Sequence, residues 1–175
     1  MTIDDEKLAF FFRHWKQIAE WTALLRQAVE VLDRELLDAL ETMGDGHETP
    51  FPQIVRGTQR AVRLHIDSGR DAWIELNWGK AQLIELSWPA LAVVWNKDLS
   101  TLQVRRSVKA ATRDLCVQKG LTTHYPDGSW WVWSGQLRPA EGPFDLDDYV
   151  SSSVERFRTA WTTMHGPIQE AIASA

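Results

Sequence analysis

Two carboxylates occupy matching places in a short internal echo. Ile74-Glu75-Leu76-Asn77-Trp78 and Ile84-Glu85-Leu86-Ser87-Trp88 share the pattern I-E-L-x-W. Each copy alternates apolar and polar residues with the two-residue period of a half-buried strand. If three-residue turns join the strands, Ile74 faces Leu86 and Leu76 faces Ile84. That register sets Glu75 opposite both Glu85 and Arg63. A slip of one residue would mix the two faces, so burial selects it. Carboxylates opposed at Cβ separations of about 5 Å form an acid–base pair or a cation site, which is hydrolase chemistry. The competing reading is an exposed ion network in which Arg63 and solvent neutralise the acids. It is preferred, because no third ligand stands at metal-site spacing; no metal and no cofactor are expected.

The same alternation sends Trp73 to the polar face, opposite His65 and beside Glu75 and Ser87. None of these buries an indole, so an exposed ring there is expected to be covered by something else. Trp73, His65, Arg63, Glu75 and Glu85 are therefore read as a partner-binding face. The alternative lays the indole on the stem of Arg63.

A second constellation is basic. Arg105, Lys109 and Arg113 stand at i, i+4 and i+8, one face of a helix, with Arg106 and Lys119 adding charge. Trp130, Trp131 and Trp133 follow, and strict alternation places Trp131 and Trp133 on one face and Trp130 on the other. Cations beside aromatics suit single-stranded nucleic acid through phosphate contacts and base stacking. The net charge of -5 opposes that partner. A third run, Glu30, Asp33, Glu35, Asp38 and Glu41, has Arg34 as its only local counter-charge and reads as a solvated acidic face. Motifs of nucleotide, metalloprotease and serine-hydrolase chemistry are missing from the sequence. Cys116 has apolar neighbours Leu115 and Val117 and reads as a core residue rather than a nucleophile.

These groups must be positioned by a small set of elements. Residues 5–43 contain no Gly and no Pro. Apolar residues recur at heptad spacing through Leu8, Phe11, Trp15, Ile18, Leu25, Val29, Leu32, Leu36, Ala39 and Met43, with Thr22 the one polar member. A straight helix of that length measures roughly 58 Å at ~1.5 Å per residue. A compact domain of 175 residues is only about 40 Å across. The helix therefore either breaks or projects, and Leu8, Phe11, Trp15, Ile18, Leu25 and Leu32 are assigned to a homodimer contact. Phe10, Trp21, Leu24, Ala28 and Val31 widen the stripe beyond a two-stranded seam.

Residues 47–59, with Pro50 and Pro52, read as a loop. Residues 60–96 read as a four-stranded antiparallel meander, with turns at Ser68-Gly69-Arg70, Gly79-Lys80-Ala81 and Pro89-Ala90. Residues 99–119 read as one helix capped by Asp98 or Ser100 and stopped by Gly120. Residues 121–134 read as a hairpin about Pro126-Asp127-Gly128, and 145–174 as helices interrupted at Gly166-Pro167. The expectation is a single two-layer α+β domain, an antiparallel sheet covered by helices.

Composition narrows function by exclusion. The chain is 44% hydrophobic and 25% charged, too apolar for a disordered protein. Its longest apolar runs, such as Leu8–Phe12 and Ala90–Trp95, are far short of a membrane span of about 20 residues. Asp4, Asp5 and Glu6 stand where a signal peptide would be basic, and one cysteine precludes an internal disulfide. Ten tryptophans against two tyrosines favour interface residues. The expected function is a non-catalytic cytoplasmic protein–protein interaction module, an inhibitor, immunity or adaptor protein that works as a homodimer. The alternatives are a nucleic-acid accessory protein and a hydrolase.

Overall fold

The structure, a computed structural model, describes residues 5–44, 50, 52–66, 71–85, 87–121 and 129–175. The first 37 helical residues form one unbroken helix, α1 (Asp5–Glu41), closed by a 3-10 turn at Thr42–Gly44. Nothing in the sequence interrupts it, and it does not break at Thr22, whose Oγ1 donates back to the Ile18 carbonyl at 2.8 Å.

Five antiparallel strands follow in sequential order: β1 (Gln53–Val55), β2 (Gln59–His65), β3 (Ala72–Gly79), β4 (Ala90–Trp95) and β5 (Trp131–Gln136). β1 lies in the segment read as loop. It is a three-residue edge strand beside two prolines, too short to carry a period, and pairs Ile54 with Val62. The expected register between β2 and β3 holds, with Arg63 opposite Glu75 and His65 opposite Trp73.

The next strand does not form where the echo places it. Lys80–Ile84 is a short helix, α2, and β4 begins only at Ala90. Leu91, not Ile84, pairs with Leu76, and Ala92 stands opposite Glu75. Lys80 to Glu85 are mostly strong helix formers, and α2 buries Leu83 beside α1, which the strand would have left without a partner. Ile84 is 39% exposed.

Residues 99–119 also divide. α3 (Leu102–Ala111) is capped by Thr101, whose Oγ1 accepts from Val104 N, and α4 (Arg113–Gln118) follows a break at Thr112. Thr112 is fully buried, and its Oγ1 donates to the Val108 carbonyl at 2.7 Å. Gly120 (φ 71°) takes the left-handed conformation that ends α4, as expected. The last helix, α5 (Leu146–Ala173), runs through Pro167 uninterrupted. Phe157, Ala160, Met164 and Ile168 on either side of the expected break form one buried stripe that holds the helix together. The expected turns Ser68-Gly69-Arg70 and Pro126-Asp127-Gly128 and the strand at 122–125 lie outside the described residues.

α5 packs on β3 between α1 and α3, so α1, α3 and α5 form one layer and the sheet the other. The core lies between them: Leu32, Leu36 and Leu40 of α1, Val62, Leu64, Ile74, Leu76 and Trp78 of the sheet, and the α5 stripe. Leu76→Ala should therefore cost about 2–5 kcal/mol. Ile84→Ala should stay within about 0.5 kcal/mol. Urea unfolding of both variants checks the corrected register, because the strand reading demands comparable losses at the two positions.

Candidate interaction surfaces

Glu75 is the centre of the sheet's outer face. Every residue of β3 is buried, including those that point away from the helices. Glu75 Oε2 accepts from Arg63 Nε at 2.7 Å and Trp73 Nε1 at 3.1 Å, and Oε1 accepts from Asn77 Nδ2 at 3.1 Å. Trp73 is only 4% exposed. Its ring lies under the Arg63 guanidinium at 5.0 Å and against the rings of His65 and Trp130 at 5.6 and 5.9 Å. His65 Nε2 meets Gln53 Oε1 at 2.8 Å. The expected partner face is thus a roofed structural layer, and Trp73 and Glu75 are not available to a partner. The Arg63 contact foreseen as the alternative is present.

Glu85 ends α2 instead of joining a sheet, so the Glu75/Glu85 pair does not exist. Among the described residues, no cluster of His, Cys, Asp and Glu could hold a metal ion.

A bulge explains the tryptophans. Val93 pairs with Trp133 and Val94 with Trp131, leaving Val132 as the extra residue. Trp133 thereby enters the main core, while Trp131 joins Trp130, Trp73, Ala92 and Val94 on the outer face. Strict alternation had separated Trp131 from Trp130 and paired it with Trp133.

The basic set loses Arg105 to the core. Arg105 is fully buried and its Nη2 donates to the Trp131 carbonyl at 3.3 Å, which ties α3 to β5. The break at Thr112 places Lys109 on α3 and Arg113 on α4. Arg106 and Arg113 are exposed, and Lys109 and Lys119 half-buried.

The acidic run of α1 is solvated at Glu30, Asp38 and Glu41 and half-exposed at Glu35, with Asp33 the exception. Asp33 is buried and accepts from Trp78 Nε1 at 2.9 Å, while Arg60 reaches both carboxylate oxygens, at 3.1 and 3.2 Å. Lys80 bridges Asp33, at 3.2 Å, and Glu30; Arg56 holds Glu41. Burial pushes the Asp33 carboxyl up, but the bonds from Arg60, Trp78 and Lys80 outweigh it and hold the group below its ordinary value.

Beyond this anchor α1 leaves the body. Its first buried residue is Val29, and residues 6–28 are exposed or half-exposed. Phe10, Phe11, Phe12, Trp15 and Trp21 are each about half exposed or more, as is Leu24. Of the six residues assigned to a dimer contact, Leu8, Phe11 and Trp15 are exposed and Ile18 and Leu25 half-exposed. Leu32 is the correction: it is 7% exposed and packs within its own core. Among the described residues, no helix is long and apolar enough to cross a membrane.

Two cavities flank Trp88. One, of about 420 Å³, is apolar and lined by Leu25, Val29, Leu32, Leu83, Trp88 and Phe144. The other, of about 540 Å³, opens on the outer sheet face among Asn77, Gln82, Trp88, Trp131, Ser134 and Gln136. Neither could be read from the sequence, since each draws on distant segments. Cys116 is fully buried against Met164, and burial raises its thiol to about 12, so it is no nucleophile at neutral pH.

Trp73→Ala should cost the isolated protein about 3–5 kcal/mol, and Glu75→Gln about 1–3 kcal/mol by weakening three donors' bonds at once. Denaturant unfolding at pH 7 checks both, and a neutral Glu75→Gln is the outcome that the exposed-pair reading requires. Because the Asp33 value is lowered on folding, its contribution is fully present above the unfolded value of 3.8 and is lost as pH falls below it. Asp33→Asn should lower the melting temperature at pH 7, and the gap from the parent protein should narrow as pH falls below 3.8.

Compared with known proteins, the chain matches no family model, no curated protein and no solved structure.

Proposed function

We propose that the protein is a non-catalytic interaction module that self-associates through the free half of α1, of the kind that serves as an inhibitor, immunity or adaptor protein. The observation that carries this reading is the apolar stripe on residues 6–28, held in helical form but without cover from its own body. Its five aromatic rings each carry ~150–250 Å² and stand about half exposed, so they alone present roughly 500 Å². Leu8 and Leu24 extend the patch. A standard interface takes about 800 Å² from each partner. The rings are spread around the helix, Phe11 and Trp15 on the heptad seam and Phe10, Phe12 and Trp21 beside it, so a paired helix covers part of this area.

The heptad spacing points to a second copy as the occupant. In an antiparallel pair the two core positions of the repeat face one another. Leu8 then meets Leu25, Phe11 meets Thr22, and Trp15 meets Ile18, and a two-fold axis repeats each layer. The pairing closes about the two-fold axis, with Phe10, Trp21 and Leu24 flanking the seam rather than lying in it. The cytoplasmic setting belongs to the same proposal and rests on the single cysteine, which is buried and reduced.

Light scattering over a concentration series tests the assembly. The parent protein should run at about twice the 20.0 kDa monomer mass, and Trp15→Glu should return it to 20.0 kDa with an unchanged melting temperature extrapolated to the monomer. A monomer at every concentration up to about 1 mM overturns the proposal. So does a dimer that Trp15→Glu leaves intact, or a monomer that binds anionic phospholipid vesicles through the same stripe.

A further inference from the structure

We propose that the polar cavity on the outer face of the sheet binds a neutral, hydroxyl-rich ligand of the size of a mono- or disaccharide. The site is independent of the α1 stripe. Its volume of about 540 Å³ falls within the ordinary range of small-ligand pockets.

The floor is built by one cross-strand row. Asn77 of β3, Ala90 of β4 and Gln136 of β5 stand side by side. Ala90 contributes only a methyl group, so the row is low in the middle and polar at both ends. The ends are two strand spacings apart, about 10 Å. A ligand filling the row needs polar groups on opposite sides of a compact body.

The polar ends are oriented in advance. Asn77 Nδ2 is committed to Glu75 Oε1 at 3.1 Å, which fixes the amide and presents Oδ1 as an acceptor. Glu75 is itself held by Arg63 and Trp73, so the orientation is anchored below the cavity. Gln136 Oε1 accepts from Arg138 Nε at 3.3 Å, which presents Gln136 Nε2 as a donor. An acceptor at one end and a donor at the other match a hydroxyl, which does both. Gln82, Ser87 and Ser134 add further amide and hydroxyl groups to the wall.

Charge and shape narrow the class. No carboxylate is among the described residues that line the cavity, which leaves a cationic ligand without a counter-charge. Arg138 is the only cation among the described residues of the wall, and it is exposed and engaged by Gln136, a weak basis for holding an anion. Trp88 and Trp131 supply apolar wall. Hydroxyls around an apolar ring, between indoles and amides, satisfy each of these surfaces together.

Saturation-transfer NMR with methyl α-glucoside, methyl α-galactoside, N-acetylglucosamine, maltose and cellobiose tests the site. At least one sugar should receive transfer from the parent protein. Ala90→Phe, which fills the floor, and Gln136→Ala, which removes an exposed donor, should each weaken it at least tenfold. Gln136→Ala alone carries the comparison if Ala90→Phe does not fold. Absence of transfer to all five sugars overturns the proposal, as does transfer that Gln136→Ala leaves unchanged. A stronger response to citrate or to adenosine than to any sugar overturns it also.

Discussion

The structure depends on one buried carboxylate. Asp33 of α1 gathers Trp78, Arg60 and Lys80 from two strands and the start of α2. A carboxylate this buried is tolerable only when its lone pairs are filled, and here three cationic or indole donors fill them. The consequence is positional. The bonds fix the rotation and the height of α1 against the sheet, so Leu32, Leu36 and Leu40 face the core. They also decide which part of α1 belongs to the body and which part extends beyond it.

Glu75 plays the corresponding part on the other side of the sheet. It turns a sheet face of charges and aromatics into a closed layer, with Arg63 over Trp73 and Asn77 pinned. β3 is consequently buried along its whole length, which is unusual for an antiparallel strand with helices on one side only. Both acids act as hubs for tryptophan and arginine. Polar groups thus complete the packing of a sheet in which indoles are too large to be covered by aliphatic neighbours alone.

Much of this was legible in the residues, and the failures have physical reasons. The alternation of Val62, Leu64, Ile66 against Ile74, Leu76, Trp78 sets the β2–β3 register, because burial penalises a slip. The heptad stripe of α1 was visible as a period, though not that Leu32 would be claimed by the body. Ile84-Glu85-Leu86 alternates like a strand, but so short a run fits either period. Tertiary contact of Leu83 with α1 decides for helix. The charged neighbours of Trp73 read as solvent-facing in the sequence, whereas charge paired in place roofs an indole. The counter-charges of Asp33 come from Arg60 and Lys80, and the polar cavity from Asn77, Gln82, Ser134 and Gln136. Such long-range pairings leave no local signal.

The continuity of α1 has a kinetic and thermodynamic meaning of its own. Starting a helix in isolation carries a nucleation factor of about 10⁻³, or roughly 4 kcal/mol. Residues 6–28 never face that step, because the folded body supplies the first turns and the free half only propagates from them. The segment is thus seeded from its C-terminal end and frays from its tip. Under the proposed self-association, the partner would meet a preformed rod, and association would need to arrest only the last turns.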